Sequence, residues 1–187
     1  MKIINTKITK HGSPLYYIYA KNDDYPPVID NKIPAEKHIS YAINFFMDKE
    51  YIEIVKNKDF KIADIVSFPF SNTYGVSRRF KELFENVIKA KFFKTNIDNY
   101  LLMVVDNIVD CVDFEKSNII YYDNNRRCTY KRSESKIILS DILIPKDELL
   151  FSIPEEPLTT FCTEQFVDMC KKNKIRNIVF SDIERIL

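Results

Sequence analysis

Four acidic residues stand close together in the middle of the chain, at Asp106, Asp110, Asp113 and Glu115. Carboxylate oxygens suit hard cations such as Mg²⁺ and Ca²⁺, and a pair of carboxyl groups can also serve as general acid and base. Their spacing does not follow a calcium-binding loop, which needs oxygen ligands at alternate positions and a central glycine. We therefore interpret them first as solvated carboxylates at turns and strand edges, and we keep a metal-dependent hydrolase or nuclease as the alternative function.

A second group of side chains mixes tyrosine with arginine in a predicted β-hairpin, with strands at residues 119–122 and 126–132. Aromatic rings beside cations suit single-stranded nucleic acid, but tyrosine and arginine are also enriched at protein–protein interfaces. Three interpretations stay open, in falling order of preference: a solvated hairpin, a protein-binding surface and a nucleic-acid-binding surface. The candidate partner-binding residues are Tyr122, Arg126, Arg127, Tyr130 and Arg132.

The remaining residue types form no catalytic motif. His11 and His38 stand far apart and outside any zinc-binding spacing, and no G-x-S-x-G motif surrounds Ser77. No C-x-x-C pair is present, so we interpret the cysteines as small core residues and not as zinc ligands or a nucleophile. These cysteines are Cys111, Cys128, Cys162 and Cys170. We expect no enzyme activity, no catalytic, metal-binding or cofactor-binding residues and no cofactor.

The stretch 64–94 contains the clearest helix. Its apolar residues recur at i, i+3, i+4, i+7 and i+8, which places them on one helical face. Ser77 stands three residues before the first of them and is predicted to cap the helix. A short strand ending at Pro69 precedes the helix, and a second strand begins at Phe92. The predicted buried stripe is Phe80, Leu83, Phe84, Val87 and Ile88.

The C-terminal part repeats this order of elements. Residues 151–154 match residues 66–69, Thr163 takes the capping position of Ser77, and residues 178–180 predict the closing strand. Three apolar residues follow Thr163 at the same offsets as their counterparts follow Ser77, namely Phe166, Met169 and Cys170. We therefore predict a diverged strand-loop-helix-strand repeat, with two unrelated amphipathic helices of common spacing as the alternative.

Other segments predict short strands. Residues 39–47 satisfy both strand and helix spacing, and we favour a strand that forms a hairpin with residues 51–55. Tyr100–Val105 is an apolar run expected in the middle of a sheet. Residues 21–34 predict a surface loop, and residues 11–14 a turn. Further strands are predicted at residues 3–4, 15–20, 136–139 and 142–144.

The predicted strands and helices together indicate a soluble α+β protein with a mixed, mainly antiparallel sheet and two main amphipathic helices. Lysine plus arginine (28) nearly equals aspartate plus glutamate (27), so no global charge favours nucleic acid or an anionic membrane. The sequence shows neither a signal peptide nor an apolar run of membrane-spanning length, so we expect a cytoplasmic protein without membrane contact. The 187 residues fit one domain, with a separate N-terminal lobe at residues 1–60 as the alternative.

Three segments carry a family resemblance: GVSRRF at residues 75–80, DCVDFEKS at residues 110–117, and the helix-strand unit at residues 161–180. Over roughly residues 60–185 the chain resembles the eleventh immunity-protein family of bacterial polymorphic toxin systems, which makes residues 60–187 the family-like region. The resemblance implies a cytosolic protein that binds and neutralises a cognate toxin without enzyme activity. Its net charge of +1 departs from the strongly acidic inhibitors of basic nucleases.

Overall fold

The computed structural model describes residues 1–6, 18–20, 35–56, 63–68, 72–121 and 135–182. Within these residues there are three α-helices, α1 (Ala35–Met47), α2 (Arg78–Phe84) and α3 (Glu164–Lys172), and a 3₁₀ turn at Asp141–Leu143. The same part of the chain contains ten strands: β1 (Lys2–Thr6), β2 (Ile18–Ala20), β3 (Ile54–Lys56), β4 (Ile65–Ser67), β5 (Thr73–Ser77), β6 (Ala90–Lys94), β7 (Tyr100–Val105), β8 (Leu150–Ile153), β9 (Glu156–Cys162) and β10 (Ile178–Asp182). The predicted α+β class is confirmed.

Eight of these strands form two antiparallel sheets of four strands each. Sheet 1 has the order β4-β5-β7-β6, and sheet 2 has the order β8-β9-β1-β10. The remaining strands, β2 and β3, pair with each other. As the sequence predicts, Tyr100–Val105 lies in the middle of a sheet, between β5 and β6.

Both faces of each sheet are covered, because successive side chains of a strand point to opposite sides. In β7, Met103 and Val105 contact the central core around α2 and α3, whereas Leu102 and Val104 contact the core under α1. In that central core the rings of Phe84 and Phe166 lie 5.1 Å apart and join the two helices. The outer face of sheet 2 packs instead against an outer arm of irregular chain, residues 109–113 and 137–139.

The helix α2 begins where the sequence predicts. Ser77 is its N-cap, and its Oγ accepts a hydrogen bond of 3.1 Å from the Phe80 amide. The predicted buried stripe is correct for Phe80, Phe84 and Ile88 and wrong for Leu83 and Val87, which are 36% and 42% exposed. The helix ends at Phe84, so the helical spacing that places Val87 on the buried face no longer applies.

The repeat also differs from the prediction in two details. The predicted loops between strand and helix contain strands of their own, β5 and β9, which form hairpins with β4 and β8. Thr163 has the extended backbone of an N-cap, but its hydroxyl makes no capping hydrogen bond, so its predicted side-chain role is wrong.

The strand predicted at residues 39–47 is wrong, because these residues belong to α1. A strand would bury alternate residues, yet Tyr41 and Met47 are 41% and 65% exposed. The buried residues follow helical spacing instead, and they are Ile39, Ala42, Ile43 and Phe46. The burial of Ala42 and Phe46 together with the exposure of Tyr41 distinguishes the two periods.

Three further strand predictions need correction. No hairpin joins residues 51–55 to α1, since β3 pairs with β2 and Ile52 bridges to Thr95. Residues 142–144 form no strand among the described elements, because Asp141–Leu143 is the 3₁₀ turn. At residues 136–139 the structure has only isolated bridges, at Lys136 and Leu139. The turn at 11–14, the loop at 21–34 and most of the 119–132 hairpin lie outside the described residues.

Candidate functional site

Two structural units meet in the centre of the molecule. The first unit consists of β4, β5, α2, β6 and β7, and the second consists of β8, β9, α3 and β10 together with β1. Asp64, immediately before β4, is fully buried between them. Both of its carboxylate oxygens therefore depend on hydrogen bonds from the protein.

The Asp64 carboxylate accepts hydrogen bonds from three residues of the two units. Ser77 Oγ donates to Oδ1 over 3.0 Å, and Arg79 Nη1 donates to Oδ2 over 3.0 Å. From the second unit, Arg176 donates its backbone amide over 2.9 Å and its Nε over 3.2 Å to Oδ2. The carboxylate thus connects the start of β4, the start of α2 and the approach to β10.

Burial raises the pKa of Asp64, but the hydrogen bonds from Arg176 and Ser77 outweigh it, so the pKa lies below the usual 3.8. Asp64 is therefore ionised at neutral pH. The carboxylate is fully buried and its oxygens already accept hydrogen bonds from these donors, so a substrate cannot reach it. Its chemistry is that of a structural anion.

Arg79 extends the contact to the end of α3. Its Nη2 donates a short hydrogen bond to the backbone carbonyl of Asn173, the C-cap residue of α3. We call Asp64, Arg79, Asn173 and Arg176 the bridged junction. Beside it, Ala63 N donates to Tyr100 Oη over 2.8 Å, so the approach to β4 is also fixed from β7.

Sequence reasoning missed the bridged junction, because Asp64 and Arg176 are 112 positions apart. One signal was available in the repeat. The residue before the first strand is Asp64 in the first unit and Leu149 in the second. An acidic residue at a position where the other copy has leucine predicts a buried charge that needs partners.

On the other side of the central helices lies an open cleft of about 460 Å³. It is formed by the segment that follows α2, the segment that precedes β8 and one face of α3. The lining residues are Glu85, Asn86, Val87, Ile88, Lys89, Asp147, Glu148, Leu149, Gln165 and Met169.

Glu148 is the buried acid of this cleft. Lys89 Nζ forms a close ion pair with Glu148, and Asn107 Nδ2 donates a short hydrogen bond to it and a bond of 3.0 Å to the Leu150 carbonyl. The hydrogen bond to Glu148 raises the pKa of Lys89. Like Asp64, Glu148 thus receives a cation from the other unit.

The predicted acidic cluster does not form a metal site. Asp113 accepts hydrogen bonds from Lys116 N over 3.1 Å and from Lys116 Nζ over 2.8 Å, and the side-chain bond lowers its pKa. Asp106, Asp110 and Glu115 are exposed. Among the described residues no group of three or more histidine, cysteine, aspartate or glutamate side chains could hold a metal ion.

Three of the cysteines confirm the core interpretation. Cys111, Cys162 and Cys170 are buried free thiols, and burial raises the pKa of each to about 12. They are therefore protonated at neutral pH and are poor nucleophiles. Cys128 and His11 lie outside the described residues.

The candidate partner-binding residues also lie outside the described part of the chain, so their role stays a prediction. They are Tyr122, Arg126, Arg127, Tyr130 and Arg132. Sequence reasoning did not single out the exposed apolar residues near the outer arm, of which Ile142 is 94% exposed. Large exposed apolar side chains are a common feature of protein-binding surfaces.

Comparisons with known proteins place the chain in a family. The search of curated proteins found no match. Within the described residues no helix is long and apolar enough to span a membrane. A family model described as "Immunity protein family (Imm11)" matches residues 56–185, which is more than half of the chain. The match confirms the resemblance over roughly residues 60–185. The chain therefore belongs to the Imm11 immunity protein family.

Proposed function

We propose that this protein neutralises a cognate bacterial toxin in the cytosol by binding it stoichiometrically. The observation that carries the proposal is the Imm11 match over residues 56–185. Inhibition occurs by occlusion, in which the bound protein covers the toxin surface that acts on its target. No chemical step by this chain is required.

The cross-unit contacts support a binding function. A tight inhibitor benefits from a preformed surface, because ordering flexible segments on binding reduces affinity. The Arg176–Asp64 and Lys89–Glu148 ion pairs each join the two units and hold them in one arrangement. The proposed contact surface includes Tyr122, Arg126, Arg127, Tyr130 and Arg132, whose residue types suit a protein interface.

Co-expression with the toxin-like product of the neighbouring gene tests the function. We expect growth rescue together with co-purification of a one-to-one complex. A toxin from an unrelated gene pair is the control, and it should be neither neutralised nor co-purified. Unrelieved toxicity without a complex would reject the proposal.

A further inference from the structure

The two units have equivalent positions that can be identified from backbone pairing alone. Ser77 N donates to the Asp64 carbonyl over 3.0 Å, and Thr163 N donates to the Leu149 carbonyl over 3.1 Å. Each pair sits just beyond the neighbouring strand register, Ile65 with Val76 in the first unit and Leu150 with Cys162 in the second. Asp64 therefore corresponds to Leu149, and Ser77 to Thr163.

This equivalence relates the bridged junction to the open cleft. Arg79, two residues after the cap of α2, corresponds to Gln165, two residues after the cap of α3. Asn173, the C-cap residue that Arg79 contacts, corresponds to Glu85, the C-cap residue of α2. Gln165, Glu85 and Leu149 all line the cleft. The cleft therefore occupies the position, relative to the second unit, that the Arg79 side chain occupies relative to the first.

The cleft has the chemistry that an arginine side chain needs. Its acidic lining residues are Glu85, Asp147 and Glu148, against the single cation Lys89. Lys81 pairs with Glu85 at the rim, and Lys89 pairs with Glu148 and also attracts the exposed carboxylate of Asp147, so three carboxylates face two lysines. Val87 and Met169 supply an apolar wall along which an aliphatic stem can pack while its head group reaches a carboxylate.

We propose that the open cleft receives an arginine side chain of the toxin, which takes there the place that Arg79 occupies in the bridged junction. This inference rests on the proposed function. Arginine fits better than lysine because its planar fork donates to a carboxylate and to a backbone carbonyl at the same time, as Arg79 does with Asp64 and Asn173. The toxin residue would contribute to specificity as well as affinity.

Two substitutions of Gln165, one that adds a positive charge and one that adds a negative charge, test whether a toxin arginine occupies the cleft. Gln165→Arg supplies the missing guanidinium from within, so we expect binding of the purified toxin-like domain to weaken by about tenfold or more. Gln165→Glu adds a carboxylate, and we expect binding to tighten by about threefold. The matched control is Asn44→Arg on the exposed face of α1, which adds the same charge outside the cleft and should change the dissociation constant by less than about twofold.

Isothermal titration of each variant with the same toxin-like domain separates the outcomes. If the wild-type protein does not bind, the proposed function fails and the inference fails with it. If the wild-type protein binds and Gln165→Arg binds equally well, the inference alone fails. Equal weakening by Gln165→Arg and Asn44→Arg would show a general charge effect, and weakening by both Gln165 variants would show a steric effect. Either result overturns the arginine occupant.

A second variant keeps the test decisive if Gln165→Arg does not fold. Asp147→Asn removes an exposed charge from the rim, and we expect binding to weaken by about threefold with unchanged thermal stability. Unchanged affinity for this variant would contradict the inference. Sedimentation of the toxin-free protein checks for a second copy in the cleft. A wild-type dimer that Asp147→Asn or Gln165→Arg dissociates would also overturn the toxin arginine as occupant.

Discussion

The two units of this protein place four strands in the same spatial order but obtain the third strand differently. In the first unit β7 follows β6 along the chain, whereas in the second unit the N-terminal β1 occupies the equivalent position beside β9 and β10. The registers agree, since Leu101 pairs with Val76 on one side and Lys94 on the other, just as Lys2 pairs with Cys162 and Asp182. The repeat is therefore complete in space although its second copy is incomplete along the sequence.

A second difference concerns side chains on the same backbone. The first unit has Asp64, Ser77 and Arg79 where the second has Leu149, Thr163 and Gln165, so one helix start is closed by a charged network and the other borders a cleft. Burial on folding imposes the apolar pattern on both copies, but it does not prescribe these polar contacts. The apolar spacing that the two copies share thus predicts their common fold better than it predicts the polar contacts of each copy.

The first prediction concerns removal of β1, the strand whose place in the chain distinguishes the two units. Deletion of residues 1–6 should destabilise the protein most, because Ile3 and Ile4 are buried on opposite faces of sheet 2. Burial of these two side chains alone contributes about 3–6 kcal/mol. Urea unfolding followed by circular dichroism measures the loss.

A circular permutant provides the control for this deletion. It would return β1 to the chain after residue 187 through a linker of about five residues, with new termini in the predicted loop at residues 21–34. We expect a free energy of unfolding within about 1 kcal/mol of wild type, because closing a loop of this length costs little. An unfolded permutant, or a deletion that remains stable, would contradict the equivalence of β1 and β7.

The second prediction concerns a substitution that removes the central anion of the bridged junction. Asp64→Asn leaves Arg79 and Arg176 without their buried anion, and loss of one partner of a buried ion pair costs about 3–5 kcal/mol. Since both guanidinium groups are about half exposed and can be hydrated after the substitution, we expect a smaller loss of stability, about 2–4 kcal/mol. The control is Asp168→Asn, whose ion pair with Lys171 on α3 is exposed and should contribute little. Equal effects of the two substitutions would reject the structural role of Asp64.

Sequence reasoning recovered the parts of the fold that local spacing determines. The apolar run of β7 and the cap of α2 follow from period and residue type. Residues 39–47 fit both periods, and only contact with Val66 and Leu102 of sheet 1 selects the helix. The partners of Asp64 and the cleft could not be predicted, because both depend on how two distant units pack.

The third prediction concerns acid. A carboxyl group whose pKa is lower in the folded than in the unfolded state adds stability above its unfolded pKa and loses it as the pH falls through its folded pKa. Asp64 is such a group. The difference in unfolding free energy between wild type and Asp64→Asn should therefore be constant above about pH 5 and decrease below it. Asp113, whose pKa is also lowered, is present in both proteins and cancels. A difference that grows with acid would contradict the assignment.

The fourth prediction compares the two helix caps, beginning with Ser77. Its Oγ accepts from Phe80 N and donates to Asp64, so Ser77→Ala removes a cap and leaves one carboxylate oxygen with a lost partner. We expect a loss of about 1–2 kcal/mol, measured by chemical denaturation. A smaller loss would mean that water replaces the hydroxyl.

The matched substitution in the second unit should have the smallest effect. The Thr163 hydroxyl is buried and has no hydrogen-bond partner among the described residues. Burying a polar group without a partner is unfavourable, whereas valine has nearly the same shape and no such group. Thr163→Val should therefore leave stability unchanged or raise it slightly, by up to about 1 kcal/mol. Destabilisation as large as that of Ser77→Ala would show that Thr163 caps α3 in solution, and the chemical difference between the two units would then disappear at this position.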